Sequence, residues 1–118
     1  MLISIIPYKT KSNNMINLLK RLLGLGPAVN FKELIQQGAV IIDVRSKGEY
    51  RGGHIQGSIN IPVDELRQNL GKLKDKNQVI ITCCASGMRS ASAKSILKAS
   101  GYAKVHNGGG WSSLKSKL

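Results

Sequence analysis

Apolar residues in this chain fall into short unbroken runs separated by stretches where they recur at helical spacing. Ala39-Val40-Ile41-Ile42 and Val79-Ile80-Ile81-Thr82 are the clearest runs. A run without polar alternation predicts a strand covered on both faces, as in a parallel sheet. Before the first run, Asn30-Phe31-Lys32-Glu33 predicts a helix with Asn30 as N-cap and Glu33 completing a capping box. That helix carries Leu34 and Ile35 and ends at Gly38. Residues 48–60 read as a glycine-rich loop carrying His54, Gly57 and Ser58. Asp64 opens a predicted helix from Glu65 to Leu70 or Leu73, weakened by Gly71. After a turn over Asp75 to Gln78 and the second run, Ser90 to Ala99 predicts a helix whose small residues permit close approach to the sheet. Gly101 ends it, and Ala103-Lys104-Val105 predicts a last short strand. Gly108-Gly109-Gly110 removes side chains where the chain passes something tight, before a closing helix from Trp111 to Leu118. Strands alternating with helices predict an α/β, mostly parallel architecture. Ligands in such sheets sit beyond the carboxyl ends of strands, where both Asp43 and Cys84 fall.

The chain divides into an extension over residues 1–27 and a domain over 28–118. Residues 1–14 read as loosely organised, and Met15 is a second candidate start. Met15 to Leu23 has the pattern of a short, basic amphipathic helix, for which packing on the domain is favoured over contact with a membrane surface. At 118 residues there is room for one core. The formal net charge of +12 favours anionic partners, but the lysines are scattered and lack interleaved aromatics, so no specific nucleic-acid face is expected. Two adjacent cysteines suit neither a disulfide framework nor a structural zinc, and point to reactive thiols in a reducing, cytoplasmic setting. Two isolated histidines give no metal site, and no cofactor is called for.

The candidate chemistry lies in Cys84-Ala85-Ser86-Gly87-Met88-Arg89-Ser90. A cysteine leaving a buried strand into a short loop and a helix start gathers backbone N–H groups around its sulfur and favours thiolate. Gly87 allows a backbone conformation closed to other residues, so successive amides can turn inward as an anion nest. Arg89 supplies a fixed positive charge for an anionic substrate, or ties loop carbonyls together. Ser86 and Ser90 are placed to donate to the sulfur, with helix capping preferred for Ser90. Cys84 is thus expected to be ionised and reachable from solvent. Cys83 reads as a core-facing neighbour, with a secondary thiol role after oxidation as an alternative. Counted from Cys83, the loop has the cysteine, five residues and arginine of a cysteine phosphatase or arsenate reductase, a minor competing reading. Asp43, Arg45 and Glu49 read as structural support, Arg45 pairing with Glu49 and Asp43 fixing loop amides. His54, among glycines, reads as a loop-shaping residue rather than a general base.

Taken together these segments resemble the rhodanese family of single-domain sulfurtransferases over residues 28–118. The resemblance rests on Asp43-Val44-Arg45 with Glu49, on Gly53-His54-Ile55-Gln56-Gly57-Ser58-Ile59-Asn60-Ile61-Pro62, on Cys84 to Ser90, and on Gly101-Tyr102, Val105 and Gly108-Gly109-Gly110-Trp111. It implies a three-layer fold with a central, mostly parallel sheet of about five strands and helices on both faces. It also implies that Cys84 takes sulfane sulfur as a persulfide from thiosulfate or a persulfide donor and passes it to cyanide or a thiol, including a protein thiol. Ala85 stands where family members often carry a basic residue, which weakens the case for thiosulfate. A rhodanese-like module that carries sulfur or binds a protein without fast turnover is the alternative.

Overall fold

The computed structural model describes residues 28–118. The expected extension over 1–27, with its amphipathic stretch at 15–23, lies outside the described residues. Helix α1 (Phe31–Gln36) starts where Asn30 Oδ1 accepts the Glu33 N–H at 3.0 Å. The expected capping box is only half made, because the Glu33 carboxylate turns instead to Gln37. Gly38, at φ +99°, turns the chain into β1 (Val40–Asp43). A short helix α2 (Lys47–Arg51) follows, overlapping the start of the segment 48–60 read as loop. Its complete capping box joins the Ser46 hydroxyl to the Glu49 N–H and the Glu49 carboxylate to the Ser46 N–H. Strand β2 is only Ile59–Asn60.

The helix expected from Glu65 onward is replaced by 3-10 turns at Val63–Glu65 and Arg67–Lys72. Asn69 leaves helical geometry there, its amide bonding the Glu65 carbonyl. Strand β3 (Ile80–Cys84), helix α3 (Met88–Ala99), strand β4 (Val105–Gly110) and helix α4 (Trp111–Ser116) complete the order. The glycine triplet is part of β4, and the expected strand at Ala103 begins two residues later.

The sheet is parallel in the order β2-β1-β3-β4, four strands among the described residues. The chain runs outward from β1 to β2, crosses back past β1 to β3 and continues outward to β4, so the direction of winding reverses between β1 and β3. That is where an open α/β sheet leaves a crevice at its carboxyl edge. Successive strand residues point to opposite faces, which splits the core in two. Ile42, Ile80 and Cys84 pack with Ala93 and Leu97 of α3 and with Leu66 and Tyr102. Ile41, Ile81 and Cys83 pack with Leu114 of α4 and with Leu34 and Ile35 of α1. The expected three-layer α/β fold is therefore what these residues build.

Candidate active site

Cys84 ends β3, and three residues separate it from α3. Gly87 makes the turn with φ +109° and ψ −14°, a left-handed conformation that disfavours any side chain. The turn brings the Gly87 N–H to 2.9 Å and the Ser90 N–H to 3.4 Å from Cys84 Sγ. The Ser90 hydroxyl lies 3.5 Å from the same sulfur. Ser90 therefore sits inside the first turn of α3 and faces the sulfur, and Gly87 takes the capping position expected for it. Burial raises the thiol pKa, but hydrogen bonds from the Ser90 hydroxyl and from the Ser90, Gly87 and Ser86 amides outweigh it and hold Cys84 below the ordinary cysteine value.

Solvent access differs from expectation. Cys84 is 1% exposed, whereas Ala85, Ser86 and Met88 on the rim are exposed. Cys84 belongs to the core cluster with Ile42, Ala93 and Leu97, and β4 passes close behind the loop: a Cβ on Gly110 would lie 2.9 Å from the Ala85 carbonyl oxygen. Gly108 is equally tight, 2.8 Å from the Thr82 oxygen by the same construction.

The charged residues pair differently from the sequence reading. Arg45 does not meet the Glu49 carboxylate; its guanidinium lies 2.6 Å from buried Asp43, donates to the Gly53 carbonyl at 2.7 Å and reaches the Glu49 backbone oxygen. Trp111 covers it, with the guanidinium carbon 4.5 Å from the ring centroid. Asp43 also accepts the Arg45 N–H, as expected of a loop-fixing carboxylate. Glu49 instead grips Arg89 with both oxygens, at 2.8 and 3.0 Å. The Arg89 side chain bonds and the Ser46 cap hold Glu49 down to about 2. Arg89 therefore stands at the mouth with its charge already partnered. His54 stacks on Tyr50 at 3.7 Å and its Nδ1 meets the Tyr50 carbonyl at 2.7 Å, which fits loop shaping.

Cys83 lies on the opposite face of β3 from Cys84, in the α1 and α4 layer. Burial, then the Asp43 charge, push its thiol up to about 12. The loop amides of Gly87 and Ser90 that lead to Arg89 converge on Cys84 and not on this sulfur. Alternation along β3 also points the two thiols apart, against a resolving role. Among the described residues no cluster of three or more His, Cys, Asp or Glu suits a metal ion. None of their helices is long and apolar enough to cross a membrane.

Sequence reasoning missed Asn107, whose Oδ1 lies 2.6 Å from Ser90 Oγ, and Asn60, whose amide bonds the Asp43 and Arg45 carbonyls. Neither had a local signal, since Asn60 reaches from β2 to the end of β1 and Asn107 from β4 to the start of α3. Glu49 had one: Ser46-Lys47-Gly48-Glu49 is a capping-box pattern.

A parallel sheet carrying a cysteine cup between β3 and α3 defines an α/β domain built around a buried, acidified thiol. Residues 28–117 match the family described as Rhodanese-like domain, and the chain belongs to that family. It is 41% identical over 70 residues to the thiosulfate sulfurtransferase PspE of Escherichia coli strain K12, covering 58% of this chain and 67% of that one. It is 35% identical over 92 residues to thiosulfate sulfurtransferase 18 of Arabidopsis thaliana, covering 67% and 68% of the two chains. A solved structure described as rhodanese with anions from E. coli superposes with a TM-score of 0.62 at 38% identity, covering 64% of this chain and 91% of that one. The chain spans only a quarter of another relative, the tRNA uridine(34) hydroxylase of Buchnera aphidicola subsp. Baizongia pistaciae (strain Bp), to which it is 33% identical.

Proposed function

We propose that the protein is a sulfurtransferase whose nucleophile is Cys84, moving sulfane sulfur through a cysteine persulfide. The observation that carries this reading is the convergence of the Gly87 and Ser90 amides on Cys84 Sγ at 2.9 and 3.4 Å. The Cys84 thiolate attacks the outer sulfur of thiosulfate; the sulfur–sulfur bond of the donor breaks and sulfite leaves with the electron pair. With a persulfide donor the leaving group is a thiolate. The cup's amides then hold the anionic end of the new persulfide, as oxyanion donors do elsewhere. An acceptor thiolate or cyanide attacks the terminal sulfur, the bond to Cys84 Sγ breaks, and its electron pair returns to Cys84 as thiolate. Two easier displacements replace one difficult step. No metal or organic cofactor enters this scheme.

Ala85 and the partnered Arg89 leave little free positive charge at the mouth, so a persulfide donor suits the site better than thiosulfate. A sulfur-carrier reading without rapid turnover draws on one observation, the 1% exposure of Cys84. Mass spectrometry of the intact chain after incubation with thiosulfate, and separately with a persulfide, tests the proposal. Gain of one sulfur atom by the native chain and Cys83→Ser, but not Cys84→Ser, is expected. Gain in Cys84→Ser and loss in Cys83→Ser would overturn the assignment. Cyanide-dependent turnover in steady state separates the enzyme from the carrier.

A further inference from the structure

The hydroxyl of Ser90 has one proton and three acceptors around it. Its oxygen lies 2.6 Å from Asn107 Oδ1, 2.9 Å from the Gly87 carbonyl oxygen and 3.5 Å from Cys84 Sγ. The Asn107 amide is oriented by two further bonds. Its Oδ1 accepts the Gly109 N–H at 2.9 Å, and its Nδ2 donates to the Gly87 carbonyl at 3.4 Å. Those bonds keep oxygen, not nitrogen, toward Ser90.

Where the proton sits then depends on the state of the sulfur. With a neutral thiol, the S–H donates to Ser90 Oγ and the hydroxyl donates onward to Asn107. With a thiolate, the hydroxyl must turn toward the sulfur and give up its short bond to Asn107. We propose that Asn107 is a positioning residue that competes with the Cys84 sulfur for the Ser90 proton, and so sets how readily the nucleophile ionises. This rests on the reading of Cys84 as nucleophile and adds a residue that acts on it only through Ser90.

Other charged groups act on the same sulfur. Arg89 from α3 and Cys83 on the same strand feel its charge directly. Glu49 of α2 reaches it through Arg89, and Asp43 of β1 acts on both Arg89 and Cys83. His106 of β4 lies near Lys94 and Lys98 of α3, which, after its own burial, favour its neutral form. These contributions stay in place when Asn107 is changed, so a comparison across Ser90 backgrounds isolates the proposed competition.

The test is the pH dependence of iodoacetamide alkylation of Cys84 in the full chain, followed by mass. Native protein, Asn107→Ala, Ser90→Ala and the double variant are compared. Asn107→Ala is expected to lower the midpoint and raise the rate below it about threefold, since a hydrogen bond to the anion favours the anion. Ser90→Ala is expected to raise the midpoint, and adding Asn107→Ala to it is expected to change nothing more. An equal shift in both backgrounds, or no shift in either, would overturn the proposal. Asn107→Asp serves if the alanine form does not fold. Its carboxylate keeps both acceptor bonds, and its upward shift should shrink when Ser90 is alanine; equal shifts would again overturn it. Sulfur uptake is scored separately. Failure of the native chain to take up sulfur from either donor, with the background-dependent shift intact, would defeat the sulfurtransferase reading and leave this one standing.

Discussion

Burial disfavours the anion of any thiol, and at both cysteines of β3 it is the largest single influence on ionisation. At Cys84 the amides of Ser86, Gly87 and Ser90 and the Ser90 hydroxyl overcome it, while at Cys83 the nearby Asp43 charge adds to it. One position along a strand therefore separates a thiol held below the ordinary cysteine value from one held above it, which is the contrast the proposed nucleophile requires. Iodoacetamide at neutral pH is expected to label Cys84 and leave Cys83 unmodified, with the Cys84 midpoint below the ordinary value of about 8.5; equal labelling of both would contradict this. The signs for stability are opposite as well. The folded pKa of Cys84 is lowered, so its contribution is present above the unfolded value and is lost as pH falls through the folded one. For Cys83 the folded value is raised to about 12, so burial of the neutral thiol counts below the unfolded value and is lost as pH rises toward the folded one. Thermal stability is accordingly expected to fall between about pH 9 and about 12, and to fall less steeply in Cys83→Ala.

Among the elements, those with a local cause were legible in the sequence. The unbroken apolar runs of β1 and β3, the Asn30 cap of α1 and the small residues of α3 each predict their element from neighbours in the chain. The misreadings have physical reasons. Helix α2 is only Lys47–Arg51 and contains a glycine, so no apolar period announces it, and only its cap does. The turns after Pro62 are shaped by bonds such as Asn69 Nδ2 to the Glu65 carbonyl rather than by a repeating stripe. The Glu49 carboxylate pairs with Arg89 rather than with the expected Arg45 because the choice is made by geometry across the crevice, with Glu49 and Arg89 forty positions apart. Burial of Cys84 is likewise long-range, in one cluster with Ile42, Ala93 and Leu97, and β4 closes on the loop at Gly110. That contact gives a direct test. Gly110 has φ −68°, which any residue adopts, so Gly110→Ala isolates the overlap of a new Cβ with the Ala85 carbonyl. A loss of about 1–3 kcal/mol in chemical denaturation is expected from such overpacking, along with slower sulfur uptake because the cup is displaced. Unchanged stability and uptake would mean that β4 does not hold the loop. Breaking the pair at the mouth acts in the other direction: Glu49→Gln frees the Arg89 charge, and the Cys84 alkylation midpoint is expected to fall, whereas Arg89→Ala should raise it.

At the scale of the whole molecule, the net charge of +12 governs encounter rather than fold. The pairs that shape the site are internally neutral: Asp43 with Arg45 beneath it and Glu49 with Arg89 at its mouth. Attraction of an anionic donor thus comes from basic residues distributed over the chain, not from one residue aimed at the sulfur. Such attraction is long-ranged and is screened over about 10 Å at 0.1 M salt, whereas hydrogen bonds inside the cup are screened far less. Raising ionic strength should therefore lower kcat/KM for thiosulfate by raising KM, with little change in kcat, and leave the Cys84 alkylation rate by neutral iodoacetamide nearly constant. A neutral persulfide or trisulfide donor should show no such decline. A kcat that falls in parallel, or equal salt dependence for charged and neutral donors, would place the relevant charge inside the cup, and Arg89 would then have to leave Glu49 during the reaction.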